Sequence, residues 1–323
     1  MINRQFVVSL AVAVTLGSFA AAQYPQAEIA NSQIRAKLYL PDARSGYYRA
    51  TRFDWSGVIA SLEWNGHSYF GQWFERYDPK LHDAIMGPVE EFVTSPGYDD
   101  AKAGEDFVRI GVGAVRRPPD ETVYHQFQTY EIADPGAWTV KQGKDWIEFT
   151  HQLRDTAGYA YVYRKKVHLT KNKLVLEHRL KNTGRKAIAT SVYQHNFFML
   201  DKQPTGPNFS VRFPFDPRAT RPLNGLAETR GKEFVYLKEL QDSQTAFTEL
   251  QGFGSSVKDY YIRVENRKTG AAVRQTSDRP MSKLMLWSPR STVCPEAYID
   301  LRVEPGKESS WKIVYEFYQI GKP

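Results

Sequence analysis

Along most of the chain apolar and polar residues alternate with a period of two, the pattern of strands that lay one face on a core. Nowhere do apolar residues recur at helical spacing over several turns, so no long amphipathic helix is expected. "GVIASLEWNGHSYFGQWF" sets Asn65-Gly66 between two β-rich runs, a strong hairpin signal because both turn positions require positive φ. "AWTVKQGKDWIEFTHQL" reads as a second hairpin, turning at Gln142 to Asp145. "GYAYVYRKKVHLTKNKLVLEHRLKNTG" reads as a third, turning near Lys171-Asn172 and ending on Asn182-Thr183-Gly184. Further strands are expected at 209–215, 233–239, 258–266, 271–276, 282–287, 296–303 and 309–319. Strands joined by short turns, with no helices between them, predict an all-β fold of antiparallel sheets packed face to face. The pattern fades between Asp78 and Lys102, where an irregular excursion with one helical turn is expected, and again over Asp201 to Asn208. No repeat, low-complexity tract or linker divides residues 23–323, so one domain is expected there.

Composition supports a substantial core: 41% of residues are hydrophobic and 14% aromatic, which excludes a disordered chain. Arg4, the apolar run Phe6 to Leu16 and the small residues of "FAAAQ" read as an export signal over residues 1–22. That run is too short to span a bilayer, and no later segment approaches ~20 apolar residues. The remaining chain is expected to be soluble and exported, periplasmic or secreted, with no membrane insertion, as a monomer or weak dimer. Cys294 is the only cysteine, which excludes a disulfide scaffold and a cysteine metal cluster. The formal charge of +7 is spread along the chain, densest at "RR" 116–117 and "RKK" 164–166. Without a basic stripe or a binding motif, nucleic acid is not an expected partner. The basic surface is either simply solvated or meets an acidic partner such as a uronic polysaccharide.

Several common chemistries are absent. "RIGVGAVRR" holds Gly111-x-Gly113 but neither a third glycine nor a following helix, and "GFGSS" is no nucleophile elbow. The 7 histidines form no His-x-His or His-x-x-x-His pair, so no zinc site is expected. What remains is a set of polar groups inside aromatic strands. In "SVYQHNFFML", alternation puts Tyr193, His195 and Phe197 on one face and Gln194, Asn196 and Phe198 on the other. Both faces mix polar and aromatic groups, as suits a strand whose end lines a wet pocket, although a packed core histidine has the same appearance. "GYYRATRFDWSG" adds Arg49, Arg52 and Asp54, and Arg52 with Asp54 could pair across a sheet face or serve a ligand. Trp55, Trp73 and Trp287 are candidate platforms for a sugar's apolar face, or core residues. His82-Asp83 lies in the irregular excursion, where loops often carry function, and "ETVYHQFQTYEI" reads as a strand bearing His125. Glu296 follows a Cys-Pro break at the entry of an apolar strand.

The order of these pieces carries a resemblance. "LVLEHRLKNTGRKAIATSVYQHNFF" resembles the galactose mutarotase-like (aldose 1-epimerase) superfamily, where an Asn-Thr-Gly turn precedes a strand bearing Asn-His-Pro-Tyr-Phe. "CPEAYIDLRVEPGKESSWKIVYEFY" is similar to that family's ending, in which an active-site Glu precedes a Leu-x-Pro-Gly turn. "GYYRATRFDWSGVIASLEWNGHSYFG" resembles its opening strands. The resemblance spans nearly the whole chain after the signal and implies a β-supersandwich of large antiparallel sheets. It implies that His195 is the general acid and Glu296 the general base. His125 matches the family's second active-site histidine, with His82 its competitor, and Arg109 the arginine ahead of that region. The chain departs from the pattern at Asn196 for proline, at Phe197 for tyrosine, at Cys-Pro before Glu296, and in lacking Leu-His-Gly-Gly.

The implied reaction is anomer interconversion of a sugar, without metal or cofactor. A base takes the proton of the anomeric hydroxyl, an acid protonates the ring oxygen, and the opened ring recloses as the other anomer. Arg52, Arg109 and Asn196 would position hydroxyls, and Trp73 or Trp287 would stack on the ring. Two rivals share the fold: a non-catalytic carbohydrate-binding protein, and a polysaccharide lyase or hydrolase. The enzyme requires Glu296 and His195 to face one another across a cleft with room between them. A binding module predicts an open aromatic groove, and a lyase a long basic cleft with a Tyr or His base.

Overall fold

Asn65 and Gly66 both take positive φ, 49° and 78°, and close a two-residue turn between strands Val58–Trp64 and His67–Phe70. The computed structural model describes residues 24–120 and 123–321, so the expected export signal lies outside the described residues. The second hairpin pairs Ala137–Gln142 with Trp146–Thr156. The third pairs Tyr159–Thr170 with Lys173–Asn182 around Lys171, whose φ is 52°. The expected later strands form, from Phe209–Arg212 to Glu308–Gln319, and between them lie three that the sequence does not announce, Arg218–Ala219, Ala227–Arg230 and Ala246–Gln251.

These strands assemble into antiparallel sheets of ten, six, four and three strands. The ten-stranded sheet is centred on Glu308–Gln319, which lies between Lys173–Asn182 and Ala271–Ser277. The six-stranded sheet runs, in spatial order, Arg218–Ala219, Ala246–Gln251, Lys283–Ser288, Cys294–Val303, Ile188–His195 and Val89–Phe92. Alternation gives each of its strands an apolar face. Val192, Leu284, Leu286, Ala297 and Ile299 join Leu176, Leu180, Ile313 and Tyr315 of the larger sheet in one buried core. Among the described residues no α-helix forms; two short 3-10 turns stand at Leu200–Lys202 and Val257–Asp259.

The excursion between Asp78 and Lys102 holds one turn of helical type, closed by the Ala101 N–H on the Gly97 carbonyl at 3.0 Å, and also the strand Val89–Phe92, wholly buried although it carries Glu90 and Glu91. The structure corrects two expectations. Among the described residues the first strands are Gln26–Ala30 and Ile34–Tyr39, whereas "GYYRATRFDWSG" is a buried loop. Buried loop backbone needs partners, and Arg109 supplies them, donating to the carbonyls of Thr51 (3.0 Å) and Arg52 (2.6 Å) in the loop and tying both to the strand end at the Phe92 carbonyl (2.8 Å). Finally, His125 lies in a loop and not in a strand.

Candidate active site

Ile188–His195 and Cys294–Val303 are antiparallel neighbours with Val192 opposite Ile299 and Tyr193 opposite Tyr298. Val192 and Ile299 face the core, so Tyr193 and Tyr298 face away from it, their rings stacked at 4.4 Å. Two residues further along, the same alternation brings His195 and Glu296 together, with Nε2 and Oε1 3.2 Å apart. Lys283–Ser288 adds Lys283, Met285 and Trp287 to this side, and Phe247 extends it along Ala246–Gln251. Loops bearing Arg52, Asp83 and Phe127 close over the sheet, leaving a cavity of about 620 Å³ lined by all these groups. That volume suits a small organic ligand.

The loop carrying Asp83 packs tightly on the strand end. A Cβ on Gly87 would lie 2.5 Å from the His195 carbonyl oxygen, so only glycine permits the approach. The His195 ring is held by packing: Phe197 stacks on it at 3.9 Å, while Phe53 and Trp287 stand edge-on. Trp73 stacks in turn on Phe197 at 5.0 Å and donates its indole N–H to the Ile85 carbonyl.

The ion pairs of the site converge on Arg52. Its Nε donates to Glu91 at 2.8 Å, one terminal nitrogen to Asp83, and the other to the Tyr193 hydroxyl at 3.2 Å. Tyr193 itself donates to Glu91. Burial would raise the Asp83 carboxyl, but the His82 hydrogen bond and Arg52 outweigh it and hold it below the usual carboxylate range. Burial pushes the Glu296 carboxyl up to about 8, against the pull of Arg52 and Lys283 and with help from Glu91 and Asp83. Burial, followed by the Arg52 charge, drives the His195 imidazole well below its ordinary value, and Asp83 offsets this only in part. At neutral pH the two are therefore not an ion pair. They are a protonated carboxyl beside a neutral imidazole, close enough for a proton to pass between them.

Of the residues singled out from the sequence, His195, Glu296, Arg52 and Trp287 line the cavity. His82 stands behind the wall, its Nε2 3.0 Å from Asp83. His125 is exposed and does not line the cavity; its loop contributes Gln126 and Phe127 instead. Arg109 is buried in loop carbonyls as described, and Trp55 donates to the Ala50 carbonyl within the core. Trp73 does not line the cavity; it stands behind Phe197 and edge-on to Trp287 at 5.4 Å. Asn196 faces the opposite way, accepting from Tyr315 at 2.8 Å and donating to Gln275 at 3.0 Å and to the Pro295 carbonyl. It belongs to a buried polar network between the sheets, as strand alternation demands. Asp54 does not meet Arg52; it accepts from Ser56 on the core side.

The sequence reading missed Asp83 as Arg52's partner, and also Glu91, Tyr193, Tyr298, Arg221 and Lys283. The one local signal was "VEEF", two adjacent carboxylates in a short apolar run. Among the described residues no three of His, Cys, Asp or Glu converge to hold a metal ion.

No protein-family model and no curated protein matches the chain. Solved structures do. A galactose mutarotase/aldose epimerase homologue from C. elegans superposes with a TM-score of 0.57 at 14% identity, over 93% of this chain and 100% of that one. A putative aldose 1-epimerase from Escherichia coli K12 gives 0.55 at 12% identity, over 91% and 100%. A galactose mutarotase related enzyme from Lactobacillus acidophilus gives 0.54 at 13% identity, over 91% and 97%. At such identities the likeness is one of fold, and it runs the length of the described chain. The protein has the galactose mutarotase-like β-sandwich fold.

Proposed function

We propose that the protein is a carbohydrate-active enzyme that interconverts sugar anomers, with Glu296 and His195 moving the protons. The observation that carries this reading is the paired carboxyl and imidazole on the wall of an aromatic cavity in this fold. Mutarotation needs one acid and one base at the same moment, and a pair sharing a single transferable proton supplies both. With the Glu296 carboxyl pushed up to about 8 by burial and the His195 imidazole driven well below its ordinary value, Glu296 is the partner that carries the proton at neutral pH. Glu296 thus protonates the ring oxygen while His195 accepts the proton of the anomeric hydroxyl, and reclosure runs the transfers in reverse. These roles are inverted relative to those the sequence resemblance implies. The inversion follows from burial, which penalises both charged forms. Trp287 offers a stacking face, and Arg52, fixed by Glu91 and Asp83, can donate to hydroxyls only where its present partners leave it free.

Polarimetry or NMR across a panel of aldoses tests this. Glu296→Gln should lower the rate on the order of 10²–10⁴-fold, the usual worth of one acid–base group. Equal rates for the two proteins, or none above buffer, would overturn the assignment.

One observation favours a second reading, a carbohydrate-binding protein without turnover. His195 and Glu296 are already 3.2 Å apart, so no sugar oxygen fits on the line between them, and a substrate must reach both from the open side. Saturable sugar binding with no anomer exchange would support it. The lyase reading fares worse, because Tyr193 donates to Glu91 and burial holds its phenol well above the usual value, making it a poor base. We also infer from the N-terminal sequence that residues 1–22 are removed on export. N-terminal sequencing of the exported protein would then read Gln23 first.

A further inference from the structure

We propose that the ligand of this cavity is an anionic sugar whose carboxylate or phosphate is recognised by Arg221 and Lys283. The inference rests on the reading of the cavity as a sugar site. Three cations line the cavity, and they are not equivalent. Arg52 is committed to Glu91 and Asp83. Arg221 and Lys283 make no ion pair among the described residues; the Arg221 guanidinium lies over the exposed Phe247 ring at 4.5 Å, and the Lys283 ammonium 5.1 Å from the Tyr298 centroid. An aromatic face attracts a cation and leaves the outward N–H donors unspent. Among the described residues, the acids of the cavity do not neutralise the two. Asp83 is held between Arg52 and His82, and Glu296 keeps its proton at neutral pH.

The cavity therefore carries positive charge that its own carboxylates leave unmatched, next to aromatic surface. A neutral hexose would use the aromatic surface and leave both cations solvated. A sugar with an acidic substituent uses both features, and the planar fork of Arg221 suits either a carboxylate or a phosphate. The volume, about 620 Å³, leaves room for a substituent beyond one sugar ring. Two charge-assisted contacts at the cavity edge should favour the anion over its neutral counterpart by at least about tenfold, less so at high salt.

Titration calorimetry of the full chain tests this without requiring turnover. Glucuronate and galacturonate form one arm, glucose 6-phosphate another, and glucose and galactose the neutral reference. Tighter binding of either anionic class, abolished in Arg221→Gln/Lys283→Gln while circular dichroism stays unchanged, is the expected result, and the arm that binds identifies the anion. Equal binding of neutral and anionic sugars, or a preference that survives the double substitution, overturns the proposal and leaves the sugar site standing. Binding of no sugar overturns both. Anion binding without anomer exchange removes the epimerase activity and keeps this inference.

Discussion

Glu296→Gln removes an ionisation from the cavity wall while preserving its shape, and its effect on stability has a definite pH dependence. The Glu296 carboxyl is raised from 4.5 to about 8 in the folded protein. Below pH 4.5 both folded and unfolded chains hold the proton, and the wild type keeps the full contribution. Between 4.5 and about 8 the unfolded chain has released the proton and the folded chain retains it. Stability is therefore lost as pH rises, by about 1.4 kcal/mol per pH unit. The loss accumulates to on the order of 5 kcal/mol and is complete above the folded value. Glutamine has no such dependence. Subtracting the two urea-unfolding curves, followed by tryptophan fluorescence from about pH 4 to about pH 9, cancels the titrating groups that do not interact with Glu296. The difference should be constant below pH 4.5, climb in favour of the Gln variant, and level off above about 8. A difference that stays flat across the window would show Glu296 ionising as an ordinary carboxyl, and its role as proton donor would fall with it.

The same pair predicts the pH profile of anomer exchange: kcat/KM should fall on an alkaline limb near pH 8, where Glu296 loses its proton, with an acid limb well below 6.5. Limbs near 4.5 and 6.5 would restore the roles implied by the sequence resemblance. Lys165→Met strands Glu90, which otherwise meets Lys165 and lies 3.5 Å from His178 with no exposure. It should cost about 3–5 kcal/mol in denaturant unfolding, and adding Glu90→Gln should recover a large part. If the double variant is merely the sum of its parts, the pairing is not what holds those charges. Asn196→Ala leaves Tyr315 and Gln275 without their partner and should cost about 1–3 kcal/mol without changing the order of preference among sugars. A changed order in the binding panel would mean that Asn196 reaches the ligand.

The three hairpins were legible because turn chemistry is local: Asn65-Gly66 and Lys171 take positive φ within a few residues of the strands they join. That His195 and Glu296 come together was legible from the order of short motifs, since each sits on a strand whose neighbours alternate cleanly. Much of the remaining wall was not. Glu90 and Glu91 suit a buried strand only because Lys165 and Arg52, 75 and 39 residues away, come to meet them. Nothing in "VEEF" itself names those partners. The placing of Asn196 is a different kind of error, because the information was present. A period of two puts it on the face opposite His195, and only one of those neighbours can line the cavity. Arg109 misled for a third reason: an arginine that braces loop carbonyls is indistinguishable in sequence from one that meets a ligand.

These placements bear on where selectivity resides. The His195 strand departs from the motif it resembles at Asn196 and Phe197, and neither brings a polar group to the cavity. Asn196 points into the core. Phe197, at φ 45°, leaves the strand and lies flat beneath the His195 ring. The groups able to discriminate among ligands are those of the surrounding wall, and Arg52, Asp83, Phe127 and Arg221 all come from segments between strands. His195 and Glu296, by contrast, stand on adjacent strands of one sheet. Sheet strands hold their spacing while loops tolerate change, so under the proposed function a site built this way would alter its ligand without disturbing the His195–Glu296 pair. Under the proposed chemistry, ligand selection and proton transfer should separate kinetically. Arg221→Gln should raise KM for an anionic sugar with kcat nearly unchanged, because that contact is equally present in ground and transition states. Glu296→Gln should lower kcat, because its proton moves only as the ring opens.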